Sequence, residues 1–420
     1  MSKLTGGLNL YQGIGFLVST LLGSGVFIVP SMVASITGHI SWLPWLLMTV
    51  LILPVIFVFS WLGKKYPHNA GTAHFVELAF GETCSKSISL LYLAITPVGP
   101  PVVIITGANY LAFCFGLSEL SGIYFALLMI AIIFIINFFN IAIAGRIQFL
   151  SVIVTTIILG LVISSGFFTT LAYRTPSDSG AIATLSDIAQ AMGVIFWCFV
   201  GIEAVTHIAP EFKNPKKDFP LTIYISVFIV VLLYSLLCYS VLNFHAYGTE
   251  AKNISSLPFI IQQTFGRKGA ILIGFMGFIT CLGAVNLYIL SLARLLVSLS
   301  KDKVLPAIFS HQNQSNVPVI STITVILVVL CTVLLKSEFK FTLQNLITCA
   351  DGVFSLIYLA SSLAAFKLMP HRKKILGFTA SLFCLVVTFC LGREMIYASI
   401  IFTIGLLFPM VKKIPLYIHN

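Results

Sequence analysis

Apolar stretches about twenty residues long recur from one end of this 420-residue chain to the other. A helix of that length crosses a hydrocarbon core of about 30 Å, and in lipid a helix satisfies its own backbone hydrogen bonds. Hydrophobic residues make up 58% of the chain and charged residues 9%, which is more apolar surface than a soluble domain of this length can bury. The sequence therefore predicts an all-α polytopic membrane protein.

The hydrophobic pattern predicts about twelve transmembrane helices. They lie near residues 10–36, 41–63, 86–116, 122–141, 146–171, 187–210, 220–243, 268–299, 318–336, 342–366, 375–391 and 394–411. The first segment has no convincing small-residue cleavage site, so we expect it to stay as a span rather than be removed as a signal peptide. Pro97, Pro100 and Pro101 are expected to bend the third span. Residues 1–420 are therefore expected to form one integral membrane domain.

The positive charges are distributed unevenly between the two sides that these spans define. With the N-terminus in the cytoplasm, most of the 24 Lys and Arg residues lie in cytoplasmic loops, as the positive-inside rule requires. We therefore expect both termini in the cytoplasm of a bacterial cell, with the chain in the inner membrane. The cations lie in short loops rather than on one face, so the net charge of +11 indicates topology and argues against nucleic-acid binding.

Two predicted spans contain an interruption that a simple membrane anchor does not need. The first span has Leu22-Gly23-Ser24-Gly25-Val26, and the sixth has Phe199-Val200-Gly201-Ile202-Glu203. Corresponding interruptions in two halves of a chain are typical of transporters built from repeats, where unwound backbone lines a cavity. Glu203 adds an ionisable group inside the membrane, where such residues are functional candidates. The alternative, that the glycines only allow close helix packing, stays open.

Four stretches of the chain resemble the amino acid-polyamine-organocation superfamily of transporters. They are Leu22 to Phe27 with Pro30; Tyr66-Pro67 through Ala70-Gly71 to Phe80-Gly81; Phe196 to Glu203, followed by Glu211-Phe212-Lys213-Asn214-Pro215 and Pro220; and Asn286 to Arg294, followed by Asp302 and Leu305-Pro306. The resemblance implies a LeuT-like fold with broken helices 1 and 6. Residues 10–171 would form a first inverted repeat of five helices, 187–366 a second, and 375–411 two additional helices.

The resemblance also places the substrate at the two helix breaks, near the bilayer midplane. The implied substrate-binding residues are Leu22, Gly23, Ser24, Gly25, Val26, Trp197, Phe199, Val200 and Gly201. Free amides at the first break would hold a carboxylate, and free carbonyls at both breaks would hold an ammonium group. The aromatic rings would receive an apolar side chain, unless they only pack between helices.

The activity that the resemblance implies is secondary active transport of neutral amino acids by alternating access. The compact length and the run Phe196 to Pro220 are similar to bacterial exporters of L-methionine and branched-chain amino acids, which indicates efflux of methionine, leucine, isoleucine and valine, as in antiport. Apart from Glu203, no carboxylate lies close in sequence to either break, which favours neutral substrates. Uptake or exchange by the same architecture is the alternative, because sequence does not set direction.

Glu203 and Asp351, in the tenth span, are the candidates for proton coupling. Glu203 could instead accept hydrogen bonds that brace the break. The fifth span carries no lysine between Gln148 and Leu171, unlike some proton-coupled relatives in the superfamily, so sodium coupling stays open. No cofactor is expected, and the expected partners are a small amino acid and the lipid bilayer.

Two other classes of protein fit the sequence less well. A channel or membrane sensor would need continuous polar rings or an added signalling domain, and neither is present. An intramembrane enzyme would need a ligand or acid-base cluster, but His68 and His74 fall in a loop, apart from His207. None of the nine cysteines forms a CxxC pair, so we interpret them as core residues rather than metal ligands. The sequence predicts a transporter and not an enzyme.

Overall fold

The computed structural model describes residues 8–68, 70–117, 119–139, 141–168, 183–312, 318–338 and 341–411. These ranges are helical, and no strand occurs in them beyond an isolated parallel bridge between Leu8 and Phe212. The bridge joins the residues just before the first helix to the turn that follows the sixth predicted span. The prediction of an all-α chain is confirmed for this part of the protein.

The α-helices follow one another without long connections in the described ranges. They are α1 (Leu10–Leu22), α2 (Gly25–Thr37), α3 (Trp42–Lys65), α4 (Thr72–Phe80), α5 (Glu82–Leu93), α6 (Gly99–Phe115), α7 (Glu119–Phe139), α8 (Ile141–Phe168), α9 (Leu185–Phe196), α10 (Ile202–Thr206), α11 (Asp218–Asn243), α12 (Glu250–Ile254), α13 (Ser256–Lys301), α14 (Val319–Glu338), α15 (Leu343–Leu368), α16 (Lys374–Leu391) and α17 (Met395–Val411). Short 3-10 turns join several of them, including Trp197–Phe199 between α9 and α10.

Seven helical segments among the described residues are long and apolar enough to cross a membrane, and the bent pair of α1 and α2 makes an eighth. Three shorter apolar helices, Gly99–Phe115, Ser121–Asn137 and Ile153–Phe167, lie in the predicted third, fourth and fifth spans. The two spans expected at the end form one apolar stretch, His371–Leu407, which turns at Gly392. The chain is therefore a multi-pass membrane protein, and the number of twelve spans stays a prediction.

The third predicted span, over 86–116, is interrupted rather than only bent. Helix α5 ends at Leu93 and α6 begins at Gly99, with a turn between them. Proline explains the interruption, because Pro97 has no N–H to continue the helix and its ring crowds the preceding turn. Pro100 and Pro101 lie instead in the first turn of α6, where a proline is tolerated. The expected bend is thus a complete break.

The outer faces of the helices are apolar, and polar groups are gathered inside. Phe228, Ile375 and Phe389 are 71%, 61% and 81% exposed, as expected of side chains that contact lipid rather than water. Inside, the hydroxyls of the fully buried Tyr234 and Tyr358 each lie within hydrogen-bond distance of a main-chain carbonyl. An unpaired hydroxyl in this interior would be costly, so the main-chain carbonyls freed at helix breaks are natural partners for it.

Candidate functional site

The first helix is interrupted by two residues, Gly23 and Ser24. Helix α1 ends at Leu22 and α2 begins at Gly25, and their axes differ by 45°. Gly23 has φ 37° and ψ −136°, a conformation that a residue with a Cβ rarely adopts. The first amides of α2 have no acceptor within their own helix. The break therefore presents N–H groups at the start of α2.

Ser24 lies at the centre of this break with its polar group unused. Its side chain is 4% exposed and makes no capping hydrogen bond. The hydroxyl Oγ is buried and has no hydrogen-bond partner. A buried hydroxyl without a partner costs about 1–3 kcal/mol, so Ser24 is positioned to bind a polar ligand group.

The carbonyl side of the first break differs from the sequence interpretation. The carbonyls near Leu22 were expected to be free for an ammonium group. Instead, the Tyr234 hydroxyl of α11 lies 3.3 Å from the main-chain oxygens of both Leu21 and Leu22. Tyr234 is completely buried and its ring stacks on Trp45. These two carbonyls therefore already share a donor in the described conformation.

The second break separates α9 from the short helix α10. After the turn Trp197–Phe199, Val200 is extended, and Gly201 has φ 124°. Positive φ requires glycine here, since a side chain would strain the backbone. The N–H of Gly201 donates to Oε2 of Glu203 at 2.9 Å. The carboxylate thus braces the break, which was the structural alternative for this residue.

Tyr358 of α15 completes this second break. Its hydroxyl lies 3.0 Å from the main-chain oxygen of Phe199 and 2.5 Å from Oε2 of Glu203. Sequence reasoning did not identify Tyr358 or Tyr234. The only signal available was a hydroxyl in the middle of an apolar span, which also occurs at structural positions. Each break therefore has one buried tyrosine at its carbonyl end.

The two breaks pack directly against each other. A methyl group built on Gly201 would lie 2.8 Å from Cγ2 of Thr20 in α1. One built on Gly25 would lie 2.9 Å from the Tyr234 hydroxyl and 3.0 Å from Cδ1 of Trp197. Real Cβ atoms essentially never come closer than 3.0 Å, so these glycines permit the contact. The residues that sequence analysis assigned to one site are therefore neighbours.

Asp351 reaches the same region from α15. It is completely buried, and neither carboxylate oxygen has a hydrogen-bond partner. The Trp197 main chain and Cys198 lie near enough to interact with its charge, but without hydrogen-bond geometry. Apart from Glu203, no carboxylate lies close to either break in the sequence. In the folded chain, however, α15 passes beside the second break and brings Asp351 near it.

A cavity of about 260 Å³ opens beside the first break. Its lining residues are Ile14, Gly15, Val18, Ser19, Leu22 and Gly23 of α1, Thr155 and Thr156 of α8, Ile229 of α11, and Thr280 and Ala284 of α13. The volume is close to the lower limit of about 300 Å³ for small-molecule sites. Trp197, Phe199 and Val200 are 5%, 1% and 4% exposed, so these residues are closed off from the cavity.

Metal-binding groups are not gathered in the described part of the chain. No group of three or more His, Cys, Asp or Glu residues there could hold a metal ion, and all nine cysteines are free. His68 and His74 stack with ring centroids 4.1 Å apart. Burial, together with the charge of His68, lowers the pKa of His74, while Glu77 opposes that shift. His74 lies in α4 rather than in the expected loop, and the pair lies outside the helical segments that are long and apolar enough to cross a membrane.

Comparison with known proteins identifies the family. The family model described as "Amino acid permease" matches residues 8–414. The chain is 32% identical over 417 residues to the L-methionine/branched-chain amino acid exporter YjeH of Escherichia coli (strain K12), covering 98% of each chain. It is 25% identical over 421 residues to the uncharacterized amino acid permease YecA of Bacillus subtilis (strain 168), covering 98% of this chain and 97% of that one.

A third relative is named for a different substrate. The chain is 22% identical over 405 residues to the putrescine transporter PotE of Haemophilus influenzae, covering 92% of each chain. The family model spans nearly the whole chain, and the relatives match it along almost their whole length. This membrane protein therefore belongs to the amino acid permease family and is a transporter rather than an enzyme.

Proposed function

We propose that the protein exports neutral amino acids, chiefly L-methionine, leucine, isoleucine and valine, across a bacterial inner membrane by secondary active transport. The observation that carries this proposal is the packing of two helix breaks against each other, with free amides at one, a main-chain carbonyl at the other and apolar rings around them. The exporter YjeH, which matches the chain along 98% of its length, supports the substrate and the direction.

The substrate carboxylate binds at the first break. The amides of Gly25 and Val26 lie at the positive end of the α2 dipole, which favours an anionic group. The Ser24 hydroxyl, buried without a partner, would donate a further hydrogen bond. Leu22 and Gly23 supply the backbone that turns α1 away from this site.

The ammonium group and the side chain bind at the second break. The Phe199 carbonyl, with Val200 and Gly201 beside it, accepts hydrogen bonds from the ammonium group. Trp197 and Phe199 provide aromatic surface for a methionine or branched aliphatic side chain. Because these rings are almost completely buried here, the site must open before a substrate enters, as alternating access requires.

Asp351 and Glu203 couple transport to an ion gradient. A buried carboxylate without donors is costly in a membrane interior, so it carries a proton or pairs with a cation such as sodium. Asp351 meets this description in the described conformation. Glu203 differs, since its Oε2 accepts a hydrogen bond from the Gly201 N–H and lies 2.5 Å from the Tyr358 hydroxyl. These donors favour the ionised form, whereas burial opposes it. The two carboxylates thus have different hydrogen-bond surroundings in the described conformation.

The topology proposed for this mechanism has five helices in each of two inverted repeats, over 10–171 and 187–366, with two additional helices over 375–411. Both termini lie in the cytoplasm because this arrangement places most Lys and Arg residues inside. The proposal is supported by the breaks at corresponding places in the two halves. The cavity beside α1 would then mark the route from the break to one side of the membrane.

A second candidate function is transport of cationic substrates such as putrescine. The observation that favours it is Asp351, an unpaired carboxylate near the second break, together with the similarity to the putrescine transporter PotE. A dication would require two carboxylates, and Glu203 and Asp351 could supply them. The apolar rings at the break favour the neutral substrates instead.

Efflux from preloaded cells distinguishes these functions. Cells containing labelled methionine, leucine, lysine or putrescine would express the wild type or Ser24→Trp, with and without a proton uncoupler. We expect wild-type efflux of methionine and leucine that Ser24→Trp abolishes and the uncoupler weakens. Efflux of putrescine or lysine alone would support the second candidate. Equal rates in all strains, at equal protein levels in the membrane, would overturn both.

A further inference from the structure

Tyr358 has one hydroxyl hydrogen and two acceptors within reach. Its oxygen lies 3.0 Å from the main-chain oxygen of Phe199 and 2.5 Å from Oε2 of Glu203. A phenol donates one O–H hydrogen bond, so it serves one of these acceptors at a time. Tyr358 is 0% exposed and Glu203 is 4% exposed, so the choice is made in an interior with little access for water.

The protonation of Glu203 decides which acceptor is served. When Glu203 is ionised, its Oε2 is the stronger acceptor, and Tyr358 donates to it. The Phe199 carbonyl then lacks the Tyr358 donor. When Glu203 is protonated, its own O–H donates to the Tyr358 oxygen, and the Tyr358 hydrogen turns to the Phe199 carbonyl. A proton on Glu203 is thereby communicated to a main-chain acceptor at the helix break.

We propose that, through Tyr358, proton binding by Glu203 weakens ammonium binding by the Phe199 carbonyl, so that proton and substrate compete for the carrier. The inference rests on the proposed function, which assigns this carbonyl to the substrate. By linkage, a bound substrate must weaken proton binding by the same factor as the proton weakens substrate binding. Antiport needs such competition, because the carrier must release one ligand before it binds the other on each side of the membrane.

The surroundings of Glu203 contain other titratable and charged groups. They are Tyr92 of α5 and Tyr288 of α13, which interact with the Glu203 charge; His207 after α10, whose ring lies edge-on to Tyr92; and Tyr11 of α1 and Lys64 and Lys65 of α3, which lie exposed on helices that pack against α10. The Tyr92 hydroxyl is hydrogen-bonded to Thr72 at 2.9 Å. Among the described residues, Tyr358 lies within hydrogen-bond distance of both the Glu203 carboxylate and the Phe199 main-chain carbonyl.

Asp351 is the other acidic group in this region, and it interacts with Tyr288 as Glu203 does. Its titration would also give a pH effect on substrate binding. Titration of Glu203 affects substrate binding through the Tyr358 hydroxyl, whereas titration of Asp351 does not. Removing that hydroxyl therefore separates them.

The test is binding of labelled L-leucine to purified protein in lipid nanodiscs over a pH series. The wild type should lose affinity on the acidic side by up to about tenfold per pH unit, the limit for one competing proton. Tyr358→Phe should flatten this profile and keep tight binding at acidic pH, because the Phe199 carbonyl stays free. Tyr397→Phe is the matched control, since it also deletes a hydroxyl bonded to a main-chain carbonyl, that of Ala94, away from Glu203.

Glu203→Gln supplies an independent arm. The Gly201 N–H donates to Oε2, so the Gln amide places its oxygen there and takes up no proton, and this variant should bind leucine with an affinity that does not depend on pH. Adding Tyr358→Phe to Glu203→Gln should leave that affinity unchanged at every pH. A merely structural role for Tyr358 would instead make the double variant worse than either single variant.

An infrared arm keeps the inference separable from the substrate assignment. The band of a protonated carboxyl, assigned with Glu203→Gln, is followed against pH in the substrate-free protein. Tyr358→Phe should move its midpoint toward higher pH, since the anion loses a donor. Failure of the wild type to bind leucine or methionine would overturn the proposed substrates only. An unmoved midpoint, or an acid-side loss of affinity that persists in Tyr358→Phe, would overturn the competition.

Discussion

Replacing Gly201 by alanine tests whether the contact between the two breaks matters for transport. The new methyl group would lie 2.8 Å from Cγ2 of Thr20, and the backbone would keep φ near 124°. The strained φ costs about 1–3 kcal/mol, and overpacking costs about the same again. If the overpacking acts on the transporting state, the rate falls by roughly 5- to 150-fold.

Gly248→Ala is the matched control for this substitution. Gly248 has φ 135°, so its replacement has a similar backbone strain, but a methyl group there meets no atom within 4 Å. Efflux of labelled leucine and the apparent melting temperature in detergent would be measured for both variants, at equal protein levels. We expect Gly248→Ala to transport close to wild type and Gly201→Ala to lose most activity.

A second-site change completes this test. Thr20→Ser removes Cγ2 but keeps the hydroxyl that donates to the Phe16 carbonyl at 2.8 Å. In the Gly201→Ala background it should recover the part of the loss due to overpacking and leave the part due to φ. Equal activity of Gly201→Ala and Gly248→Ala, or no recovery by Thr20→Ser, would refute the reasoning that this contact holds the breaks together.

Three further substitutions follow from the same geometry. Ser24→Ala removes a hydroxyl that has no protein partner, so leucine affinity should fall by about 0.5–1.5 kcal/mol while the melting temperature stays the same or rises. Unchanged leucine affinity in a binding titration would count against a substrate carboxylate at this break. Gly25→Ala places a methyl group 2.9 Å from the Tyr234 hydroxyl and should slow efflux. Adding Tyr234→Phe should restore part of the efflux rate, and a rate that stays low in this double variant would mean that another contact limits transport. Asp351→Asn needs neither proton nor cation, so it should raise the melting temperature at alkaline pH. It should also weaken the effect of an uncoupler or a sodium ionophore on efflux, although the proton on Glu203 still contributes. A lower melting temperature would indicate a partner that stabilises the carboxylate.

The helix breaks were predictable because glycine changes the local backbone. Gly23 and Gly201 both adopt positive φ, and a glycine beside polar residues inside an apolar stretch is typical of an interrupted membrane helix. The length and apolarity of the stretches likewise predicted the helices. The third span shows the limit of this reasoning, since hydrophobicity runs through 86–116 although the helix is interrupted at Pro97.

The side-chain partners of the breaks were not predictable in the same way. Tyr234 and Tyr358 lie on helices remote in sequence from the carbonyls that they contact. Their hydroxyls change neither hydrophobicity nor helical periodicity, so the pattern contains no signal for them. Asp351 gave a signal as an intramembrane acid, but its distance from the second break depends on how α15 packs. Local sequence thus specified the backbone of the site, and tertiary packing specified the groups that would control it.

The most direct test of the central claim is flux of labelled leucine in proteoliposomes that contain only the purified protein. With an imposed proton gradient, the wild type should move leucine against its concentration gradient, saturably, in exchange for protons, and excess methionine should compete. Ser24→Trp, which fills the first break, should abolish this flux when equal amounts of protein are reconstituted. Leucine flux that Ser24→Trp leaves unchanged, or a wild type that moves neither amino acid under proton or sodium gradients, would contradict the account.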